Sequence, residues 1–166
     1  MDHDFYIKEF IEACNSISQK ELDNLGLRLS VQTILESVAL KVYKPEWSDN
    51  PLSPLNASGR IFFSVWINDK TIKEERLYYN IHALKLRKLK GYKIAGRDFA
   101  QSFRNSFIKH QKDWNNVSIL FGPLTLMEGW INLKQDTIQN DLSGLVENFI
   151  KIAPVIDETL NLFISK

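Results

Sequence analysis

Arg60-Ile61-Phe62-Phe63-Ser64-Val65-Trp66-Ile67, then Asn68-Asp69-Lys70, then Leu77-Tyr78-Tyr79-Asn80-Ile81-His82-Ala83, is the stretch that decides the fold class. β-Branched and aromatic residues pack well on a pleated surface, and the polar residues between the two runs supply turn chemistry, so the stretch predicts an antiparallel hairpin. Upstream, Thr33 to Lys44 alternates through Ile34, Val38, Leu40 and Val42 and predicts a further strand, although Val31, Ile34, Leu35 and Val38 also match helical spacing. Ser48 to Gly59, rich in Pro, Asn, Ser and Gly, reads as a loop joining two strands of one domain.

Downstream, Phe99, Phe103 and Phe107 recur at intervals of four beside Ala100, which predicts a helix from Gly96 or Arg97 to Trp114 with one buried side. Asn115-Asn116 ends it, Val117 to Phe121 predicts a strand, Gly122-Pro123 a turn, and Leu124 to Leu133 another strand. A last helix begins near Thr137 and is striped by Leu142, Leu145, Phe149, Ile152, Ile156, Leu160 and Phe163. Pro154 lacks an amide hydrogen, so a kink or split is expected near Ala153. At the other end, Asp4 is expected to cap a first helix through Tyr6, Phe10, Ala13 and Ile17 that stops near Gly26. The predicted order is helix, three strands, helix, two strands, helix. That is an α+β fold in which a mainly antiparallel sheet of about five strands packs against three helices.

The chain has 166 residues, 44% hydrophobic, 25% charged and 11% aromatic, which predicts a single domain over 1–166 and excludes the polar balance of a disordered chain. One cysteine, Cys14, permits neither an intramolecular disulfide nor a four-cysteine zinc site, and its place on the apolar stripe predicts an inert thiol. The acidic start Met-Asp-His-Asp does not resemble a signal peptide, and no apolar run reaches the roughly 18 residues of a spanning helix. A cytoplasmic protein that does not enter a membrane is expected.

Charge is segregated along the chain. From His82 to Lys112 nine basic residues face Asp98 alone, a net +8 within a chain whose total is +1, which leaves −7 for the rest. Lys85, Arg87, Lys88 and Lys90 alternate with Leu84, Leu86 and Leu89, so one face of the segment is expected to be buried and the other basic. With Lys93, Arg97 and Arg104 they predict a surface for an acidic protein or a nucleic-acid backbone.

The predicted order of helix, three strands, helix and strand resembles the core of restriction-type nucleases. The resemblance implies metal-binding acids on the second and third strands with a lysine nearby. Leu77 to Leu86 carries Lys85 but no acid, and Asp69 falls in a turn, so the resemblance is one of element order. Other signatures are missing: His3, His82 and His110 are too scattered for a paired metal motif, and there is no Gly-x-Ser-x-Gly elbow. His82 and Glu128 sit among apolar strand residues, where burial would shift their pKa values, and with Trp66, Tyr79 and Trp130 they form a candidate aromatic pocket.

The expected function is recognition without catalysis, through the basic segment 85–112, with no cofactor or metal. The alternatives are an enzyme acting on a phosphorylated or nucleic-acid substrate and a small-ligand domain with an aromatic pocket. The stripe on the last helix is expected to be core, or else the seam of a homodimer.

Overall fold

Strict alternation along three strands sets the architecture. In the computed structural model, which describes residues 1–166, Val38, Leu40 and Val42, then Ile61, Phe63, Val65 and Ile67, then Leu77, Tyr79, Ile81 and Ala83 all point to one side and are fully buried. In chain order the elements are α1 (His3–Asn15), α2 (Gln19–Leu25), β1 (Arg28–Ile34), β2 (Ser37–Ser48), β3 (Arg60–Ile67), α3 (Asp69–Lys73), β4 (Arg76–Leu84), α4 (Gly96–Phe107), β5 (Thr125–Asn132) and α5 (Ile138–Asn161). The strands form one antiparallel meander in the order β1-β2-β3-β4-β5. The fold is α+β.

The helices cover the apolar side of the sheet. Phe149 of α5 stacks on Phe63 of β3 with centroids 4.5 Å apart and planes 11° from parallel, and Trp47 and Trp114 close on this pair edge-on. Each such pair adds about 0.5–1.5 kcal/mol beyond the burial of its area. Asp157 of α5 accepts from Trp47 Nε1 at 2.8 Å and from Lys44 Nζ at 2.6 Å, which ties the helix to β2. α1 lies against α5: Gln139 donates to the carboxylates of Glu9 and Glu12 at 2.8 and 2.7 Å, and Ser16 and Ser143 share a hydrogen bond of 2.8 Å. The three phenylalanines of α4 are buried as their spacing predicts.

Six boundaries differ from the sequence reading, one of them the end of α4 at Phe107, where 3₁₀ turns over 108–113 replace the helix expected to reach Trp114. The first helix is two helices: Ser18 caps α2 by accepting from Glu21 N, and Asp2, rather than Asp4, caps α1 by accepting from Phe5 N. The ambiguous segment before Ser37 is β1, and the single strand expected over 33–44 turns back on itself at Leu35-Glu36, with Leu35 at φ 55°. Asn68-Asp69-Lys70 opens the one-turn helix α3, held by reciprocal hydrogen bonds between Asn68 and Thr71. The strand expected at 117–121 shrinks to one bridge, in which Ser118 and Glu128 exchange backbone hydrogen bonds of 2.8 and 3.0 Å. Finally, α5 is not split at Pro154. Ile150, Ile152, Ala153, Val155 and Ile156 are buried on either side of the proline, and that packing outweighs a loss on the order of 3 kcal/mol. The apolar stripe of α5 is thus spent inside the molecule.

No helix is long and apolar enough to cross a membrane. Burial pushes the Cys14 thiol up to about 11.

Gly129 marks the tightest strand crossing. It pairs with Tyr79, and a Cβ there would lie 2.6 Å from Tyr79 Cζ and 3.0 Å from the Asn116 carbonyl oxygen. The Tyr79 ring cannot retreat, because it is fully buried and its hydroxyl donates to Asn115 O at 2.6 Å. Gly129→Ala is expected to cost about 1–3 kcal/mol through overpacking, read as a lower urea midpoint at unchanged slope. An unchanged midpoint would mean that the ring gives way.

Candidate functional site

The two-residue period that buries one face of the sheet turns the remaining strand side chains toward the other face, which no helix covers. Register aligns them in three parallel rows. Across the middle run Ser30, Lys41, Ser64, Asn80 and Glu128, one from each strand in turn, and the row continues to Ser118 through its bridge to Glu128. On one side lie Gln32, Ala39, Trp66, Tyr78 and Trp130, and on the other Arg28, Tyr43, Phe62, His82 and Thr125. A polar stripe therefore runs between two largely aromatic ones.

The aromatic rows are well ordered internally. Trp66 stacks on Tyr78 at 5.1 Å, the Arg76 guanidinium lies 3.9 Å above the Trp130 ring, and Phe62 packs beside His82 at 5.3 Å. These large side chains, with the β1–β2 turn at one end, sink the middle stripe. Lys41, Ser64 and Asn80 are buried although they belong to the helix-free face. The result is a depression of about 380 Å³ lined by Ile34, Leu35, Lys41, Phe62, Trp66 and His82 among others, and reaching Glu128. A second hollow of about 480 Å³ beside it shares Ile34 and Lys41 and adds Arg60, with Leu55 and Asn56 of the 48–59 loop as its wall.

Polar pairing in and beside the stripe is incomplete. Asn80 Nδ2 donates to Glu128 Oε1 at 3.1 Å, but Asn80 Oδ1 is buried and has no donor. Arg60 Nη1 donates to Ala57 O at 2.6 Å, while its buried Nε has no acceptor. Burial holds the His82 imidazole below its usual value of 6.5; the Leu124 carbonyl and Glu128 oppose that shift, and the nearby Lys41 and Arg60 charges add to it.

Of the residues expected to form an aromatic pocket, the structure brings His82, Glu128 and Trp66 to the depression and places Trp130 on the same face. Tyr79 is the exception. It is one step out of phase with Tyr78, so it points into the core. Lys41, Arg60 and Asn80 were not among the candidates. One signal was available: Lys41 is the lone charge within Val38-Ala39-Leu40-Lys41-Val42, a run that leaves a lysine few surroundings except an apolar one.

The basic segment lies elsewhere. Leu86 and Leu89 are buried and Lys85, Arg87, Lys88, Lys90, Lys93 and Arg97 are exposed, so the segment has the expected two faces. Arg104 does not join them. Its guanidinium donates to the carbonyls of Phe121, Gly122, Thr125 and Leu126 at 2.8 to 3.0 Å and organises the turn into β5. No three His, Cys, Asp or Glu side chains gather as a group that could hold a metal ion. No protein-family model matches the chain, and no curated protein or solved structure matches it either.

His82 gives a test of this environment. A base whose folded-state pKa lies below its unfolded value binds fewer protons when folded, so stability is lost as pH falls below 6.5 toward the folded-state value. His82→Gln is expected to flatten the stability profile in that window while leaving stability above pH 7 little changed, as read by urea midpoints from pH 7.5 to 5. Parallel profiles for the two proteins would show that His82 titrates as it does in solvent.

Proposed function

We propose that the chain is a small-molecule-binding domain that receives its ligand on the helix-free face of the sheet. The observation that carries this reading is the sunken polar stripe, in which Asn80 is buried between two aromatic walls with its Oδ1 unpaired. Buried polar atoms are nearly always paired in folded proteins, so an unpaired one on a residue that lines the depression is suited to a ligand that completes it. The depression is also within the usual size range of ligand pockets, roughly 300–1,000 Å³. Ile34 and Leu35 at its rim are exposed, Leu35 almost completely, and offer apolar contact to whatever enters.

The four tryptophans supply a built-in comparison. Trp66 and Trp130 stand on the proposed face, while Trp47 and Trp114 are buried on the helix side. In a screen of flat, water-soluble fragments followed by two-dimensional NMR, binders are expected to shift the indole N–H signals of Trp66 and Trp130 and to leave those of Trp47 and Trp114 in place. Shifts confined to the helix-side pair, or none from any fragment, would sink the reading.

A second reading rests on a separate observation: Lys85, Arg87, Lys88, Lys90, Lys93 and Arg97 are exposed and none takes part in an ion pair. Such a cluster suits a nucleic-acid backbone or an acidic protein surface. Binding to single- and double-stranded nucleic acid across a salt series is expected to weaken steeply with salt and to vanish when Lys85, Lys88, Lys90 and Lys93 are changed to Glu. No binding at low salt would exclude the nucleic-acid form of this reading.

A further inference from the structure

Two lysines three residues apart on β2 have opposite fates. Lys44 reaches Asp157 at 2.6 Å. Lys41 is only 7% exposed, makes no hydrogen bond and joins none of the four ion pairs of the molecule, which are Met1 with Asp69, Lys8 with Glu12, Lys44 with Asp157 and Lys70 with Glu74. Its ammonium rests 4.5 Å from the centroid of the Phe62 ring, and the Arg60 guanidinium lies 5.4 Å from the same centroid. A ring face attracts a cation, which offsets part of the loss of water, but it does not neutralise the charge.

Taking an ammonium even partly out of water without a counter-ion is costly, and a second cation nearby makes it costlier. Burial and the field of Arg60 hold the Lys41 pKa below the usual lysine range, and no carboxylate acts in the opposite direction. With Nη1 of Arg60 bound to Ala57 O, its remaining edge, Nε with Nη2, is free of protein acceptors. Nη2 is the donor that an oxyanion oxygen can reach, with the buried Nε behind it. Further along the same stripe the unmet needs reverse sign: Asn80 Oδ1 lacks a donor, and beside it stands the Glu128 carboxylate. Adjacent strands are about 4.8 Å apart, so Asn80 lies two strands, roughly 10 Å, from Lys41.

We propose that Lys41 and Arg60 form an oxyanion subsite, and that the ligand is a small flat molecule with a carboxylate or phosphate at that end and an N–H donor directed at Asn80 and Glu128. Its body lies along the stripe between Phe62 and Trp66. This assignment rests on the small-molecule reading above and adds the chemistry of both ends.

Four probes test it: 4-aminobenzoate, benzoate, aniline and phenyl phosphate, titrated by NMR on the Trp66 indole and on the His82 ring. The two carboxylates are expected to bind at least about tenfold more tightly than aniline, and 4-aminobenzoate more tightly than benzoate. A comparison of benzoate with phenyl phosphate identifies which oxyanion fits. Lys41→Met keeps an unbranched apolar stem of nearly the same length but removes the charge. It is expected to raise the melting temperature, since the unmatched cation is gone, and to erase the preference for acids while aniline binds as before. Arg60→Gln is expected to reduce the same preference. If aniline and benzoate bind equally, or if Lys41→Met lowers the melting temperature without changing the preference, the oxyanion subsite is wrong while the small-molecule reading stands. If no probe shifts Trp66 or His82 at millimolar concentration, both fall together.

Discussion

The structure depends on one asymmetry: helices cover only one side of a five-stranded meander. The strand residues that face α5 are uniformly apolar, and the stacking of Phe63 on Phe149 fixes where the helix sits. Once that layer is set, the alternation along each strand leaves no freedom for the rest. Every second residue must face the side without helices, including residues that a chain does not ordinarily bury. Lys41, Ser64 and Asn80 are placed there by the demands of Val42, Phe63 and Tyr79 on the other side.

An uncovered sheet face is usually wet, and on such a face a polar row would need no partners. Here the flanking rows carry Tyr43, Phe62, Trp66, Tyr78 and Trp130, tall enough to shut water from the row between them. Burial of the stripe is therefore a result of side-chain height, helped at the Lys41 end by the 48–59 loop, rather than of a layer of long helices. The same height bears on the electrostatics, because Lys41 and His82 are both partly desolvated and both made less basic.

The class of the fold was legible because its strongest signals are local. β3 and β4 carry dense β-branched and aromatic runs, and the phenylalanines of α4 repeat at the helical period. What escaped was set by non-local or unusual geometry. The turn at Leu35-Glu36 has no glycine or asparagine to announce it, and Leu35 adopts a left-handed backbone that its residue type disfavours. β1 was hidden by a spacing that suits helix and strand equally. In the site, His82, Glu128, Trp66 and Trp130 could be named from their apolar neighbours, but their alignment with Lys41, Arg60 and Asn80 exists only in the register of strands far apart in sequence. Arg104 was counted as surface charge because nothing in its own helix shows that four carbonyls, two from the turn before β5 and two from its first residues, converge on it.

The meander also orders the closures that folding must make. Every strand pairs with its neighbour in sequence, so β1 to β4 close modest loops and β5 joins across the connection that holds α4, whereas α1 meets α5 across hydrogen bonds between residues 127 and 130 positions apart. Loop-closure entropy rises with separation, and the reward for this longest closure comes only when α5 has a sheet to lie on. The docking of the two terminal helices is thus the last step to be secured, and the contact between α1 and α5 is the part of the molecule best placed to open while the sheet stays whole.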